Sequence, residues 1–382
     1  MRILHVNCNY TGSALHQLMV EKLEQLGYEN SIFVPVYEKS KSVITPNENV
    51  CVSACFDKWD RLFFDYKQEK IFRTIQETYR VSQFDCIHAY TLFTDGNCAM
   101  RLAEKYDKPF VVAVRNTDVN AFFKYRPHLR KRGIRIMRRA AAVFFLSEAY
   151  YRQVFDRYIP QKYHEELKKK AHIIPNGIDD FWLRNLAQPA VKNLAQTKEI
   201  KLIYAGRIDK NKNIPTIQSA AAILRERGYE VRLTVVGSVD DPKEFAKIQK
   251  DDATAYVEKK PKEALLNLYR AHDIFVMPSY TESFGLVYAE AMTQRLPVIY
   301  SMGQGFDRQF EEGTVGFHVD PYSADSVADA IENIVLQYDQ IANSCMNAAQ
   351  KFSWTRIAGV YDALYQQIRS AAQEKENGHN AI

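Results

Sequence analysis

The chain has 382 residues, of which 46% are hydrophobic and 25% charged, and its net charge is +5. This length predicts two domains rather than one, and the absence of any stretch of about 18 apolar residues excludes a membrane-spanning helix. The start lacks the apolar run and cleavage site of a secretory signal, and the six cysteines show neither disulfide nor zinc spacing, so we expect a cytoplasmic protein with reduced thiols.

Charge is divided unevenly along the chain. Residues 1–178 carry 28 Lys/Arg and 19 Asp/Glu, whereas residues 179–382 carry 23 and 27. A basic first half is typical of a surface that meets an anionic partner.

Short apolar runs alternate with helix-like segments throughout. In chain order the runs are RILHVN, SIFVPV, CIHAY, FVVAV, AVFFLS and HIIPNG in the first half, and IKLIYAG, RLTVVG, TAYV, IFVMPS, PVIYS and GFHVD in the second. Their length and their Val, Ile and Phe content predict strands that are covered on both faces. The expected fold class is therefore α/β, with parallel sheets.

The two halves follow one plan. LEQLGYE (23–29) and LRERGYE (224–230) each end a helix before a strand, with a glycine that fits a left-handed helix terminus. We predict an N-terminal domain over 1–178, a C-terminal domain over 179–365, and a helix end with a frayed polar tail over 366–382. Two facing, doubly wound, Rossmann-like domains would form a cleft at the carboxyl ends of their strands, where such sheets bind ligands.

Basic and glycine residues follow the strands of the second half. Arg207 and Lys212 come after IKLIYAG, and their guanidinium and ammonium groups can neutralise a diphosphate. Gly206 and Gly237 end two strands and allow the backbone to approach a ligand closely. A nucleotide base is expected against the backbone near Gly237 and Val257.

The stretch TESFGLVYAE places one carboxylate before a helix and one inside it. The helix opening at Ser283, Phe284, Gly285 and Leu286 offers backbone N–H groups to phosphates. Glu290, inside the helix, can accept hydrogen bonds from a ribose diol. Glu282, before the helix, can bind hydroxyls of the group that is transferred.

These residues also resemble a known family. The Glu-x7-Glu element ESFGLVYAE is similar to that of retaining glycosyltransferases of the GT-B fold, particularly family 4 (glycosyl transferases group 1). IIPNGID, YAGRIDKNKN, DIFVMPS, EAMTQRLPVIYS and KFSWTR match in the same order and cover most of 173–365.

The resemblance implies a nucleotide-diphosphate sugar as co-substrate, with no other cofactor. It places the diphosphate on Arg207 and Lys212, the ribose on Glu290 and the sugar on Glu282, and it implies retention at the anomeric carbon. The sequence contains no Asp-x-Asp, which fits metal-independent stabilisation of the leaving group.

The first half offers fewer matching positions for the acceptor or the donor phosphates. Gly12 stands alone where relatives commonly have two glycines, and His88 is expected in a loop after a strand. Arg115 and Asn116 occupy the place of the His-Gly pair of many relatives, so Arg115 can bind an anionic group instead. Asp118 either orients an acceptor hydroxyl or caps a helix, and His88 is either an active-site or a structural histidine.

Two further segments suggest surface contacts. Residues 122–140 carry eight Lys/Arg and no acid, which suits either peripheral contact with the anionic inner face of a membrane or an ordinary solvated helix face. Residues 55–72 present Trp59, Leu62, Phe63 and Tyr66 at near-helical spacing, as a membrane, dimer or acceptor face or as core packing.

The leading hypothesis is a glycosyltransferase that moves a sugar to a hydroxyl of a glycan or lipid-linked acceptor in the synthesis of cell-surface polysaccharide or glycolipid. Within the GT-B group, nucleotide-sugar epimerases and phosphorylases are alternatives, although no pyridoxal-binding lysine motif is evident. A dinucleotide-dependent oxidoreductase is a different class, but no G-x-G-x-x-G follows the first strand. A non-enzymatic protein that binds membrane or nucleic acid through its basic helices is a third class, whereas the leading hypothesis includes no nucleic-acid partner.

Overall fold

The computed structural model describes residues 1–12, 14–37, 48–188 and 190–379. The chain forms two compact units, which are described separately. It passes from the first to the second at Gly177–Ile178, one residue before the boundary that we predicted from sequence.

The first unit contains a parallel sheet of seven strands in the order β3-β2-β1-β4-β5-β6-β7. The strands are β1 (Arg2–Val6), β2 (Glu29–Tyr37), β3 (Val50–Phe56), β4 (Cys86–Ala89), β5 (Phe110–Val114), β6 (Ala142–Phe145) and β7 (Ala171–Ile173). The intervening helices are α1 (Leu15–Gln25), α2 (Phe64–Thr78), α3 (Thr94–Tyr106), α4 (Arg130–Arg139), α5 (Glu148–Tyr158) and α6 (His164–Lys168). Strands β4, β5 and β6 are buried along their whole length, as strands covered on both faces must be.

The second unit contains a parallel sheet of six strands in the order β10-β9-β8-β11-β12-β13. The strands are β8 (Glu199–Ala205), β9 (Glu230–Gly237), β10 (Thr254–Glu258), β11 (Ile274–Met277), β12 (Val298–Ser301) and β13 (Gly316–Val319). The helices are α7 (Asp180–Arg184), α8 (Leu194–Thr197), α9 (Ile214–Glu226), α10 (Pro242–Ile248), α11 (Lys262–Arg270), α12 (Leu286–Met292), α13 (Ala324–Leu336) and α14 (Tyr338–Ala349).

Both sheets confirm the predicted parallel α/β class. In each, the strand order reverses beside the first strand, so that β1 lies between β2 and β4, and β8 lies between β9 and β11. Gly27 and Gly228 end equivalent helices with φ of 86° and 90°, as the repeated LGYE and RGYE patterns predicted. Each unit is a doubly wound, Rossmann-like fold, a class in which ligands bind in the loops that follow the carboxyl ends of the strands.

The last helix, α15 (Trp354–His379), corrects the predicted end of the second domain. We assigned residues up to 365 to the C-terminal domain, but the chain from Trp354 belongs to the first unit. Trp354, Tyr361 and Tyr365 are buried in one cluster with Ile3 and Phe144 of the first sheet, and this packing explains the return. The helix also continues through residues 373–379, where we expected a frayed tail, while residues 380–382 lie outside the described part of the chain.

Candidate functional site

The ends of β8 and β9 bring Gly206 and Gly237 together. A Cβ atom on Gly237 would lie 1.7 Å from the carbonyl oxygen of Gly206, so only glycine fits this approach of two backbones. The hydroxyl of Tyr256 in β10 donates to the carbonyl of Gly237 at 3.1 Å, and Val257 follows it. Three of the positions predicted for the donor thus lie on neighbouring strands at the carboxyl edge of one sheet.

Lys212 and Glu282 form an ion pair between the loops that follow β8 and β11. Lys212 Nζ lies 2.6 Å from Glu282 Oε2, and each side chain is only 13% exposed. The short turn that carries Lys212 is capped by Asp209, whose carboxylate accepts from the Lys212 N–H at 3.1 Å. Sequence reasoning assigned the two residues separate ligand contacts and did not anticipate that they pair.

The loop after β12 holds Glu282 in place. Glu282 N–H donates to Gln304 Oε1 at 3.0 Å, and Gly305 N–H donates to the carbonyl of Glu282 at 3.0 Å. A Cβ on Gly305 would lie 1.9 Å from the carbonyl oxygen of Ser283, so the two loops are in backbone contact. The loop SMGQGFD follows β12, but sequence reasoning did not single out Gln304 or Gly305.

Arg207 has more solvent exposure than Lys212. Its guanidinium lies 3.3 Å from Asp240 and 3.8 Å from Asp209, both in loops after strands. The hydroxyl of Tyr204 donates to the Arg207 carbonyl at 2.5 Å, which fixes the backbone at the end of β8. Within the described residues the guanidinium pairs with Asp209 and Asp240, and it remains 66% exposed to solvent.

Gly285 begins α12 in the left-handed region, with φ of 76°. A Cβ there would lie 2.3 Å from the Tyr288 ring, whose hydroxyl donates to the Met277 carbonyl at 2.6 Å. The Phe284 side chain is buried against Phe306 and Phe352, so its predicted role is limited to its backbone. Ser283 and Leu286, on either side of this turn, are half-buried.

Glu290 is the fifth residue of α12 and is half-buried. The pKa of Glu290 is raised to about 7, chiefly by burial and secondly by the charge of Asp179, while a hydrogen bond from Trp182 opposes the rise. Glu282 and Glu290 thus differ sharply in environment, because Glu282 has an ammonium partner at hydrogen-bond distance.

Within the described residues, one group of His and carboxylate side chains has ligand atoms close enough together for a metal ion, namely Asp307, Glu312 and His318. His318 Nδ1 lies 3.2 Å from Asp307 and 2.9 Å from Glu312. Asp307 also accepts from the N–H of Gly303 at 2.7 Å, and Tyr300 donates to Glu312 at 3.3 Å. These contacts brace the loop that carries Gln304 and Gly305.

In the first unit, His88 is not in a loop. It is the third residue of β4, fully buried, and its ring stacks on Tyr90 with centroids 4.3 Å apart. Its Nδ1 and the hydroxyl of Tyr365 are joined by a hydrogen bond of 2.6 Å. Burial, with nearby His5 and Arg115, holds the pKa of His88 well below its usual range. These contacts fit the alternative that His88 is a structural histidine rather than an active-site residue.

Asp118 is also buried, and its carboxylate accepts three backbone hydrogen bonds. The donors are the N–H groups of Leu92 at 3.0 Å, Phe93 at 3.1 Å and Arg115 at 2.9 Å. Burial raises the pKa of Asp118 to about 6, although the three hydrogen bonds oppose this. The carboxylate ties the loop after β4 to the end of β5. It does not cap the helical turn Asp118–Phe123 in which it lies, because the N-cap residue of that turn is Thr117, so the predicted N-cap role is not seen.

Arg115 lies at the end of β5 and is partly buried. Its Nε donates to the carbonyl of Tyr90 at 3.1 Å, and its Nη1 donates to Asn176 Oδ1 at 3.0 Å. Asn116 accepts from the amide of Asn120 at 2.7 Å. Gly12 is exposed, and a Cβ there would meet nothing within 4 Å, so no contact within the first unit requires a glycine.

A buried polar cluster beside Arg115 was missed by sequence reasoning. His5 binds the hydroxyl of Tyr90 at 3.0 Å and Asn30 at 2.8 Å, and His16 binds Asn7 at 2.9 Å. Burial lowers the pKa of His5 to about 4 and that of His16 well below its usual range. Isolated histidines in apolar strands and helices gave no periodic signal that could have joined them.

Half of the cations of the basic segment 122–140 are engaged with acids of neighbouring helices. Arg132 pairs with Asp65, Arg135 with Glu104 at 3.1 Å, Arg138 with Glu166 at 2.7 Å, and Arg139 with Glu104 at 3.7 Å. The part of α4 from Arg132 onward therefore fits an ordinary solvated helix face, which we gave as the alternative to membrane contact. Within the described residues, no helix is long and apolar enough to cross a membrane.

Comparison with known proteins identifies relatives of both halves. Residues 189–352 match the family model described as "Glycosyl transferases group 1", and residues 17–180 match "Glycosyltransferase Family 4". A D-inositol 3-phosphate glycosyltransferase of Pseudarthrobacter chlorophenolicus is 33% identical over 47% of this chain, an alignment that spans only 44% of that relative. The enzyme of the same name from Arthrobacter sp. is 26% identical over 90% of this chain and 86% of its own length.

Solved structures show the same fold. Sucrose-phosphate synthase from Thermosynechococcus elongatus superposes with a TM-score of 0.74 and 19% identity, over 97% of this chain and 100% of that one. Anabaena HepE in complex with UDP gives a TM-score of 0.69 and 15% identity, over 96% of this chain and 100% of the other. At these identities the likeness concerns the fold alone, and that fold is GT-B.

Proposed function

Because this chain belongs to the glycosyl transferases of group 1 and family 4, we propose that it transfers a sugar from a nucleotide-diphosphate sugar to an acceptor hydroxyl, with retention of configuration. The observation that carries the proposal is the convergence of Gly206, Gly237, Lys212 and Glu282 in loops at the carboxyl edge of one sheet. Ligands of doubly wound sheets bind at this edge.

Lys212 and Arg207 supply the positive charge for the diphosphate in this proposal. An ammonium group has three N–H donors, so Lys212 can keep its bond to Glu282 and still donate to a phosphate oxygen. The exposed guanidinium of Arg207 can exchange Asp240 for phosphate at little cost, because surface ion pairs contribute about 0–1 kcal/mol. Leaving-group charge would then be stabilised without a metal ion.

The two carboxylates have separate tasks in the proposal. Glu290, when ionised, accepts hydrogen bonds from the ribose hydroxyls, and Glu282 binds hydroxyls of the transferred sugar. The acceptor hydroxyl approaches the anomeric carbon on the face that the phosphate leaves, so the departing phosphate oxygen takes the hydroxyl proton. The bond to the acceptor oxygen forms as the bond to the phosphate oxygen breaks, and no protein nucleophile is required.

The first unit is proposed to bind the acceptor, and Arg115 offers it a cation beside Asn176. The relatives are named for D-inositol 3-phosphate, and a lipid-linked glycan acceptor of cell-surface polysaccharide or glycolipid synthesis carries phosphate too. A phosphorylated acceptor suits the excess of Lys/Arg over Asp/Glu in residues 1–178.

A ligand screen followed by product analysis tests the proposal. UDP-, GDP- and ADP-linked sugars should include one that raises the melting temperature of the purified chain, whereas CMP-linked sugars, which lack a diphosphate, and NAD(P) should not. The donor so identified is then incubated with D-inositol 3-phosphate or a polyprenyl-phosphate-linked sugar, and NMR reports the anomeric configuration of the product. An inverted product, or stabilisation by NAD(P) alone, would exclude the proposed reaction, and an epimerised free sugar would identify the epimerase alternative.

A further inference from the structure

Four large aromatic side chains of the first unit are exposed to solvent. Trp59, Phe63, Tyr66 and Tyr125 retain 76%, 67%, 57% and 70% of their accessible surface, and together we call them the aromatic patch. Trp59, Phe63 and Tyr66 come from the turn before α2 and its first turn, whereas Tyr125 lies in the segment between β5 and α4.

The two segments that carry the patch lie side by side. The rings of Phe64 and Phe122 are 6.0 Å apart in an edge-to-face arrangement, and the Arg132 guanidinium lies 5.2 Å over the Phe64 ring and pairs with Asp65. Phe122 stacks in turn on the buried ring of Phe93, with centroids 4.7 Å apart. The rings of Phe64 and Phe122 thus anchor both segments, while the neighbouring side chains of the aromatic patch are exposed.

Positive charge borders the aromatic patch. Residues 122–132 contain five Lys/Arg and no Asp/Glu. Lys124 and Arg126 are exposed and lie over the rings of Tyr125 and Phe122 at 5.1 Å and 4.9 Å, and Lys131 is exposed one turn further on. The cations that engage Glu104 and Glu166 lie further along α4.

Exposed aromatic rings beside exposed cations have a specific partner chemistry. Trp and Tyr favour the interface between membrane and water, and each Lys or Arg near an anionic surface adds on the order of 1 kcal/mol of attraction. We propose that the first unit docks on an anionic bilayer through Trp59, Phe63, Tyr66 and Tyr125, with Lys124, Arg126 and Lys131 at the lipid phosphates. The sequence suggested membrane contact for residues 122–140 as a whole. We assign this contact to the aromatic patch and to residues 124–131.

The tryptophans of this chain give a direct measurement. Of three in the sequence, Trp182 and Trp354 are buried and only Trp59 is exposed. The full chain is titrated with vesicles of phosphatidylcholine alone or with one third phosphatidylglycerol. The emission should shift to the blue only with the anionic vesicles, and brominated acyl chains should quench it. No shift, or an equal shift with neutral vesicles, would overturn the proposal.

Variants test the contribution of the aromatic side chains to vesicle binding. The triple change Trp59→Ser, Phe63→Ser and Tyr125→Ser should lower co-sedimentation with anionic vesicles at least about tenfold, whereas Tyr322→Ser, which alters a 78%-exposed tyrosine of the second unit, should leave it unchanged. Equal binding by the triple variant would refute the assignment. Sedimentation velocity could instead show a concentration-dependent dimer that is absent in the triple variant. This result would also refute the assignment, since a second copy of the chain would then cover the patch.

The vesicle titration contains no sugar donor, so its outcome is independent of the proposed transfer reaction. The stabilisation by the nucleotide sugar should be the same in the triple variant and the parent, because none of its three residues lies in the second unit. Loss of vesicle binding with intact donor binding, and equal melting temperatures without ligand, would show that the variant is folded.

Discussion

Lys212 Nζ lies 2.6 Å from Glu282 Oε2, although 70 positions separate the two residues in the chain. With each side chain 13% exposed, the pair is poorly solvated, and either charge alone would be costly. The second unit therefore keeps a preformed ammonium–carboxylate contact at the end of its sheet, where the proposal places the sugar and its diphosphate.

Removing one member of this pair should harm stability more than removing both. Lys212→Met and Glu282→Gln should each lower the free energy of unfolding by about 1–3 kcal/mol, and the double variant should recover part of the loss. Urea denaturation of the four proteins gives the coupling energy. The exposed pair Arg2–Glu29 is a control with an expected coupling below about 1 kcal/mol, and equal coupling in both cycles would contradict the argument.

Arg207→Ala should separate catalysis from stability. The side chain is 66% exposed, so its loss should change the free energy of unfolding by less than about 0.5 kcal/mol. If the guanidinium stabilises charge that grows on the leaving diphosphate, kcat should fall about 100-fold, with a smaller change in donor KM. Arg232→Ala removes a similarly exposed guanidinium, 76% accessible and paired with Glu230, and should leave kcat unchanged. Similar kcat values for both variants would refute the role of Arg207.

Glu290 should make donor binding and stability depend on pH in opposite ways. Its folded pKa of about 7 exceeds that of an unfolded glutamate near 4.3, so its contribution to stability is present below about pH 4 and is lost as the pH rises to about 7. Glu290→Gln should therefore gain about 1–2 kcal/mol relative to the parent between pH 5 and pH 8. Ionised Glu290 accepts the ribose hydroxyls, so donor KM should fall over the same rise in pH. A difference in stability that does not change with pH would contradict the raised pKa of Glu290.

Two glycines of the predicted site should differ in their tolerance of alanine. Gly237→Ala places a methyl group 1.7 Å from the Gly206 carbonyl oxygen, which only a shift of the β8 or β9 backbone can relieve. We expect a loss of more than about 3 kcal/mol and a loss of donor binding. Gly12→Ala meets nothing within 4 Å in the structure and should change stability by less than about 0.5 kcal/mol. Thermal melting of both variants checks the contrast, and a stable Gly237→Ala would be inconsistent with this backbone contact.

Local patterns predicted most of the fold. Continuous apolar runs indicated strands β1, β2 and β4–β13, because a parallel strand covered on both faces needs little else. Strand β3 was missed: VCVSACF is an edge strand whose middle is only half-buried, so its small and polar residues gave a weaker signal. The return of α15 to the first unit depends on aromatic packing across more than 200 positions, and no local pattern carries that information.

The candidate site likewise combines features that local patterns predicted with features that depend on tertiary contacts. The position of loops after strands directed attention to Gly206, Gly237, Lys212 and Glu282, and topology alone gathers such loops at one edge of the sheet. Pairing between those loops is tertiary, so the Lys212–Glu282 contact and the support from Gln304 could not be read from spacing. The motif around His88 placed it after a strand, but the strand includes it and α15 covers it through Tyr365.

His88 provides a test of the structural interpretation in the first unit. Burial keeps it neutral when folded, whereas in the unfolded chain it titrates near pH 6.5. Its contribution to stability is thus complete above pH 6.5 and is lost as the pH falls, by about 1.4 kcal/mol per unit. His88→Phe should lack this loss, so its stability relative to the parent should rise steadily between pH 6.5 and pH 4.5.

The comparison is best made in a Tyr365→Phe background, because the variant otherwise leaves the Tyr365 hydroxyl without its partner. His128→Phe, which replaces an exposed imidazole, should keep the pH dependence of the parent. If His88 is structural, kcat of the folded His88→Phe variant should stay within about threefold of the parent at pH 8. A loss of 100-fold or more with unchanged melting would instead contradict the purely structural interpretation of His88.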